Sequence, residues 1–160
     1  MKIIPAVAND AHILTAISFR SKKYWQYPDE YLAIWADELT VTEQYILDNY
    51  VFVATKNDVL VGYYSVVEVK EDFEMAAVRI EKGIWLEHMF VDPEYIGQKV
   101  GTAMVGHLKT IWQQRGVRTI RVLADPNARG FYEKNGFGYI RECPSTIVGR
   151  TTPLLELAFG

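Results

Sequence analysis

The chain has 160 residues, of which 49% are hydrophobic and 23% charged; it can bury one compact core, whereas two full domains would be cramped. Aromatic content of 13% and dispersed glycines and prolines exclude a disordered, collagenous or low-complexity chain. Seventeen Lys and Arg against twenty Asp and Glu give a formal net charge of -3, and without a basic stripe nucleic acid is not expected as a partner.

Residues 2–8 read as a short strand, after which Asp10 is placed to cap a helix carrying Ile13, Leu14, Ile17 and Phe19 on one face. Arg20, Ser21, Lys22 and Lys23 follow it. A second helical region is expected over residues 28–39, and Thr40 and Glu43 have capping-box spacing before a third helix ending near Asp48. From Tyr50 the composition turns β-branched and aromatic, so residues 50–55 and 60–69 predict a hairpin turned by Lys56, Asn57 and Asp58. Glu71, Asp72 and Glu74 make a polar connection to a short strand near residues 77–80. After Gly83 a strand is expected over residues 84–91, stopped by Asp92 and Pro93.

Beyond that stop, Gly97, Gln98, Lys99, Val100 and Gly101 precede a helix whose Met104, Val105, Leu108, Ile111 and Trp112 fit one buried face, with Gly116 as its C-terminal cap. A strand at residues 118–124, a short helix at 128–134 closed by Gly136, and strands near 138–142 and 154–159 complete the chain. The pattern predicts one α/β domain of the α+β type over residues 1–160, with no internal repeat.

Cys143 is the single cysteine, which excludes an internal disulfide and a thiolate zinc cluster and points to a reducing compartment. The apolar run at the N-terminus is too short for a secretory leader, and the longest other run, at residues 59–67, is far below a membrane span of roughly 20 residues. A cytoplasmic protein without a membrane partner is expected. His12 and His107 sit on predicted helices with no second ligand at metal spacing, so no metal is expected.

Strand, tight glycine loop and amphipathic helix together leave unpaired backbone N–H groups at the helix start, where the dipole favours an anion. The run Gly97-Gln98-Lys99-Val100-Gly101-Thr102 matches neither the G-x-x-x-x-G-K-[ST] nor the G-x-G-x-x-G pattern. Lys99 opposes the helix dipole unless an anion occupies the site; a solvated surface lysine is the other reading.

Residues 86–95, Leu-Glu-His-Met-Phe-Val-Asp-Pro-Glu-Tyr, together with residues 97–101, resemble motif A of the GNAT acyl-CoA N-acyltransferases. Asp125, Pro126, Asn127 and Ala128, with residues 131–137, Phe-Tyr-Glu-Lys-Asn-Gly-Phe, resemble motif B in the same order and at a matching separation. The resemblance implies a mixed, largely antiparallel central sheet flanked by helices, with acetyl-CoA as co-substrate and an amine as acceptor. It also implies that Met89, Phe90 and Val91 pair with the pantetheine arm, and that Gly97, Gln98, Lys99, Val100, Gly101 and Thr102 hold the pyrophosphate. Asn127 matches a pantetheine contact, with a helix N-cap as the alternative. Phe131 would pack beside the cofactor. The family pattern [RQ]-x-x-G-x-[GA] falls on Ile96, Lys99 and Gly101, so only its last position is kept.

Tyr132 matches the tyrosine that protonates the departing thiolate in many family members, and an aromatic core residue is the alternative. Glu87 is placed to deprotonate the amine, directly or through water, or to serve as a surface carboxylate; His88 points to the opposite face of its strand and is read as structural. With no G-x-S-x-G elbow and no active-site cysteine pattern, direct transfer fits better than a covalent enzyme intermediate. Arg20, Trp25 and Arg150 lie in the connections that flank the acceptor in this architecture and are candidates to read it, though a salt bridge or a stacking contact serves them equally. The rival function is a CoA-binding sensor or interaction module without transfer. A homodimer is one assembly left open.

Overall fold

A computed structural model describes residues 1–75 and 77–160. Its Cα packing groups the chain into two compact units, Met1–Val66 with His88–His107, and Val67–Glu87 with Leu108–Gly160. The strands are β1 (Lys2–Pro5), β2 (Tyr50–Lys56), β3 (Val59–Val69), β4 (Phe73–Met75), β5 (Val78–Ile80), β6 (Gly83–Val91), β7 (Thr119–Leu123), β8 (Gly138–Pro144) and β9 (Thr151–Ala158). The helices are α1 (Ala11–Tyr24), α2 (Asp29–Ile34), α3 (Ala36–Leu39), α4 (Glu43–Asp48), α5 (Val100–Gln114) and α6 (Arg129–Lys134). Seven strands share one sheet in the order β1-β2-β3-β6-β7-β9-β8, while β4 and β5 form a separate hairpin. The β6–β7 pair is parallel, and β1–β2, β2–β3, β7–β9 and β8–β9 are antiparallel. This is the mixed, largely antiparallel sheet flanked by helices that the sequence leads one to expect.

In the first unit, α1 buries Leu14 and Ile17 against Val51, Val53 and Tyr63, with Val41 and Ile46 closing the cluster. Two hydroxyls inside this core satisfy each other: Ser18 Oγ and Tyr63 Oη are 2.6 Å apart, and Ser18 Oγ also donates to the Leu14 carbonyl at 2.9 Å. Buried hydroxyls left unmatched would cost about 1–3 kcal/mol each, so the pairing is what allows Tyr63 in the core. The β2–β3 turn carries Asn57 and Asp58 at φ of 51° and 65°, the left-handed pair that matches strand twist in a tight hairpin.

In the second unit, Ile80, Trp85, Cys143 and Leu154 form the core, with Val67, Val69, Val78 and Leu123 packed on it. Trp85 keeps its indole N–H satisfied by the Glu81 carbonyl at 2.8 Å. Arg121 bridges two strands' neighbours, reaching Glu81 at 2.6 Å and Glu156 at 3.0 Å, and these carboxylates hold its guanidinium above its ordinary pKa. An Asp-Pro dipeptide follows β6 directly and β7 after one residue: Asp92 accepts from the Glu94 N–H at 3.2 Å and Asp125 from the Asn127 N–H at 2.9 Å, each starting a single 3-10 turn.

Several local expectations are corrected. The first strand ends at Pro5 rather than residue 8, and Asp10 accepts from the Val7 N–H at 2.9 Å instead of capping α1 with its side chain. The helix expected over residues 28–39 is divided at Trp35 into α2 and α3. The cap of α4 is Thr42, whose Oγ1 accepts from the Tyr45 N–H at 3.0 Å, while Thr40 Oγ1 donates back to Ala36 at 2.7 Å. A hydroxyl in the final turn of a helix has a carbonyl within reach, and that local bond removes Thr40 from the capping box. Residues 73–75, expected in a polar connection, form β4, and β9 starts at Thr151, three residues before the predicted position.

Candidate functional site

The glycine loop sits in the first unit. Gly97 has φ of 83° and Lys99 φ of 64°, so the turn uses left-handed backbone twice within three residues. At Gly97 that conformation is without steric cost; at Lys99 the Cβ makes it cost about 1–2 kcal/mol. Lys99 therefore adopts the backbone that a glycine would take there, with its side chain exposed. α5 begins at Val100, and the Ala103 N–H bonds the Lys99 carbonyl at 3.0 Å, so the N–H groups of the preceding first-turn residues have no acceptor within the helix. Lys56, at the end of β2, donates to Gln98 Oε1 at 2.6 Å and brings a second cation to this turn. Two lysines and a helix start form a donor set suited to an anion.

Behind the loop, β3 approaches closely at Gly62. A Cβ built there would lie 2.9 Å from the Phe90 carbonyl oxygen, 3.2 Å from Val100 Cγ1 and 3.3 Å from Met104 Cε. The absent side chain thus lets the end of β6 and the first turn of α5 pack onto β3. Sequence reasoning missed both Gly62 and Lys56: a glycine in a strand run and a lysine beside a turn carry no distinguishing local signal.

The end of β6 is held by α1. Ser21 Oγ donates to the Val91 carbonyl at 2.7 Å, the Asp92 N–H bonds Val61 at 2.8 Å, and Arg20 Nη2 meets Asp92 Oδ2 at 2.6 Å. Arg20, expected in the connection after the first helix, instead lies within α1 and is placed in an ion pair, although half of its side chain is exposed against 11% for Asp92. Met89, Phe90 and Val91 are half-buried. His88 is buried in an aromatic group, 5.7 Å from the Phe90 ring and 6.0 Å from Tyr45, as its structural reading anticipates. Trp25 is exposed and edge-on to Tyr24 at 5.0 Å.

In the second unit, β6 and β7 are registered at Ile84↔Ile120 and Trp85↔Arg121, and β6 continues beyond these pairs. Glu87 lies in that continuation with its side chain exposed. Tyr132, on α6, is buried between Phe131 at 5.3 Å and Phe137 at 5.1 Å, both edge-on. Burial, reinforced by the negative charge of Asp125, pushes its phenol well above the ordinary tyrosine pKa. Asn127 is exposed, and its side-chain nitrogen donates to Asp125 Oδ1 at 3.0 Å. The cap of its turn is Asp125, so the N-cap alternative for Asn127 does not describe it. Arg150 is half-buried at the end of the β8–β9 connection, where its carbonyl accepts from the Ser145 N–H at 3.0 Å.

The structure therefore assembles residues 97–102 with the end of β6 and Arg20 in the first unit, and Asn127, Phe131 and Tyr132 in the second. Among the described residues, no group of three or more His, Cys, Asp or Glu side chains is placed to hold a metal ion. Among the same residues, no helix is long and apolar enough to cross a membrane.

Comparison with known proteins agrees with this arrangement. The sequence is 26% identical over 133 residues to the peptidyl-lysine N-acetyltransferase YjaB of Salmonella typhimurium, covering 82% of this chain and 90% of that protein. The fold is similar to the GCN5-related N-acetyltransferase of Rhodopseudomonas palustris, with a TM-score of 0.76, 22% identity, and 99% and 95% of the two chains covered. It is also similar to the PaiA N-acetyltransferase of Thermoplasma acidophilum in complex with coenzyme A, with a TM-score of 0.74, 18% identity, and 99% and 98% covered. The profile of the family described as Acetyltransferase (GNAT) domain matches residues 48–138, more than half of the chain and the whole run from β2 through the glycine loop to α6. The chain belongs to the GNAT family of N-acetyltransferases.

Proposed function

We propose that residues 1–160 act as one cytoplasmic N-acetyltransferase domain that binds acetyl-CoA and moves its acetyl group directly to a primary amine of a small molecule or peptide. The observation that carries this reading is the turn at residues 97–99, left-handed at Gly97 and Lys99, which feeds the start of α5 beside Lys56. Its donor set fits the coenzyme's pyrophosphate, because unpaired helix N–H groups and two ammonium groups all favour negative charge. We assign the pyrophosphate to Gly97, Gln98, Lys99, Val100, Gly101 and Thr102. The pantetheine arm is assigned to the backbone of Met89, Phe90 and Val91 with Asn127, and Phe131 flanks the cofactor. The coenzyme A held by the Thermoplasma relative supports the choice of coenzyme.

Acetyl-CoA supplies the thioester carbon. Glu87 takes the proton that the amine must lose, directly or through one water, and its exposure keeps it reachable. Tyr132 donates to the departing thiolate. With its pKa raised by burial, the phenol is protonated throughout the neutral range, so the donor form is always present. The same shift makes complete proton transfer to a thiolate, ordinarily of pKa near about 8.5, uphill. Tyr132 therefore acts as a hydrogen-bond donor to the developing charge. Arg20, Trp25 and Arg150 are assigned to the acceptor. Arg20 retains N–H donors beyond the one that meets Asp92.

The Salmonella relative is named for peptidyl-lysine, which makes a lysine side chain in a peptide the first acceptor to test. Release of free thiol from acetyl-CoA, followed across a panel of lysine peptides, amino termini and small amines, tests the proposal. Amine-dependent release with a matching acetylated product is expected. CoA binding with no amine in the panel accelerating release would favour a binding module without transfer.

A further inference from the structure

The segment from the end of α1 through α2 is dense in aromatic rings, with Tyr24, Trp25, Tyr27, Tyr31 and Trp35 close together in sequence. Three of these rings converge. Tyr27 and Trp35 lie 5.0 Å apart with their planes at 87°, and Tyr31 and Trp35 lie 5.7 Å apart at 68°. Planes set nearly at right angles make a corner, and an ammonium group stands in it: Lys22 Nζ is 4.8 Å from the Trp35 centroid and 5.7 Å from that of Tyr27. Both distances are within the range in which a ring's negative face attracts a cation. Trp35 is buried and forms the fixed wall, whereas Tyr27, Tyr31 and Lys22 are half-buried, so the corner borders solvent.

We propose that Tyr27, Tyr31 and Trp35 form a binding site for a primary alkylammonium group carried by a ligand, with Lys22 as its tethered occupant. Lys22 itself displays the chemistry the corner accepts, a compact ammonium on an unbranched four-carbon stem. Lys22 arises from the last turn of α1, and an outside cation entering the corner competes with its ammonium for the two ring faces. Tethering gives Lys22 an effective concentration in the millimolar range, which keeps a weak free cation out of the unaltered protein. A ligand with several ammonium groups, or one anchored elsewhere on the protein, overcomes that competition. The site selects charge over shape, because a neutral group of equal size gains nothing from the ring quadrupoles.

The test follows the Trp35 indole N–H resonance of the full chain by NMR while n-butylammonium chloride is titrated at constant ionic strength, with 1-butanol as the neutral match. In Lys22→Ala a saturable shift is expected, with half-saturation at least about tenfold lower than in the unaltered protein. 1-Butanol should give no saturable shift, and adding Tyr27→Leu to Lys22→Ala should abolish the response to the ammonium. No saturable shift in folded Lys22→Ala, equal response to 1-butanol, or equal half-saturation with and without Lys22 each overturns the proposal. Lys22→Gln, which keeps most of the stem and no charge, replaces Lys22→Ala if the latter fails to fold, with the same criteria.

Discussion

Replacing Lys99 by Gly, Ala and Glu separates two effects that the structure places on one residue. Lys99 holds φ of 64°, and in an L-residue this backbone costs about 1–2 kcal/mol. Glycine removes that cost but returns roughly 0.5–1 kcal/mol through the greater freedom of the unfolded chain. Alanine keeps the Cβ and hence the strain. Lys99→Gly is therefore expected to be more stable than Lys99→Ala by about 0.5–1 kcal/mol, which in a chain of this size raises the melting temperature by roughly 1–4 °C. Affinity moves the other way. A lysine charge near pyrophosphate in a solvated loop contributes about 1 kcal/mol, so both neutral variants should bind CoA about fivefold more weakly. Lys99→Glu exchanges attraction for repulsion and should lose about 30-fold. Thermal melts without ligand, and calorimetric titration with CoA and with dephosphorylated pantetheine, read the two effects independently. If Lys99→Gly melts no higher than Lys99→Ala, the left-handed turn is not the conformation in solution. If Lys99→Glu binds CoA as well as the unaltered protein, or if pantetheine loses affinity in parallel with CoA, the pyrophosphate assignment fails.

Tyr132→Phe keeps the ring among Phe131 and Phe137 but removes the donor; turnover should fall by about 10²-fold with CoA affinity unchanged, and full turnover in an assay limited by chemistry would return Tyr132 to the aromatic core. Gly62→Ala drives a Cβ to 2.9 Å from the Phe90 carbonyl and should cost about 1–3 kcal/mol, read as a lower urea midpoint; an unchanged midpoint would contradict the close approach. His107 has its pKa lowered by burial, with Nδ1 2.8 Å from Tyr64 Oη. The unfolded chain then takes up the proton first, so stability should decline as pH falls from about 6.5 through the lower folded value. Urea unfolding from pH 7.5 to pH 5 should show this decline flattened in His107→Gln, and equal slopes in the two proteins would refute it.

The elements most legible in the sequence are those whose signal is local and repeated. Runs of β-branched and aromatic residues mark β2 and β3, and the apolar stripe through Met104, Leu108 and Trp112 marks α5, because burial of one helix face leaves that pattern along the chain. The Asp92-Pro93 dipeptide is legible as a stop because it acts within two residues of itself. What escaped depends on partners distant in sequence. A salt bridge is one of the readings open for Arg20, but its partner Asp92 lies 72 residues away and leaves no trace in the segment around Arg20. Gly62 reads locally as a weak point in a strand, and only the approach of Phe90 and Val100 gives it a reason. The α4 cap was misplaced because two threonines two residues apart offer equivalent hydroxyls, and the choice between them is made by where α3 ends. In the sequence Lys99 reads as either solvated or turned toward phosphate; its backbone angle, invisible in the residue type, shows how a lysine occupies a glycine's place.

Cys143 has a consequence for measurement. The chain's single thiol lies 4% exposed on β8, packed with Ile80, Trp85 and Leu154. β8 is the last strand of the sheet and pairs with β9 through a register irregularity between Tyr139 and Arg141. An alkylating reagent reaches this sulfur only when the strand opens, and each molecule can be marked once and at one place. The marking rate under native conditions is then a clock for opening at the sheet's margin. A rate insensitive to dilute denaturant would assign the opening to fraying of β8 alone, whereas a rate rising as steeply as global unfolding would make that margin as cooperative as the core.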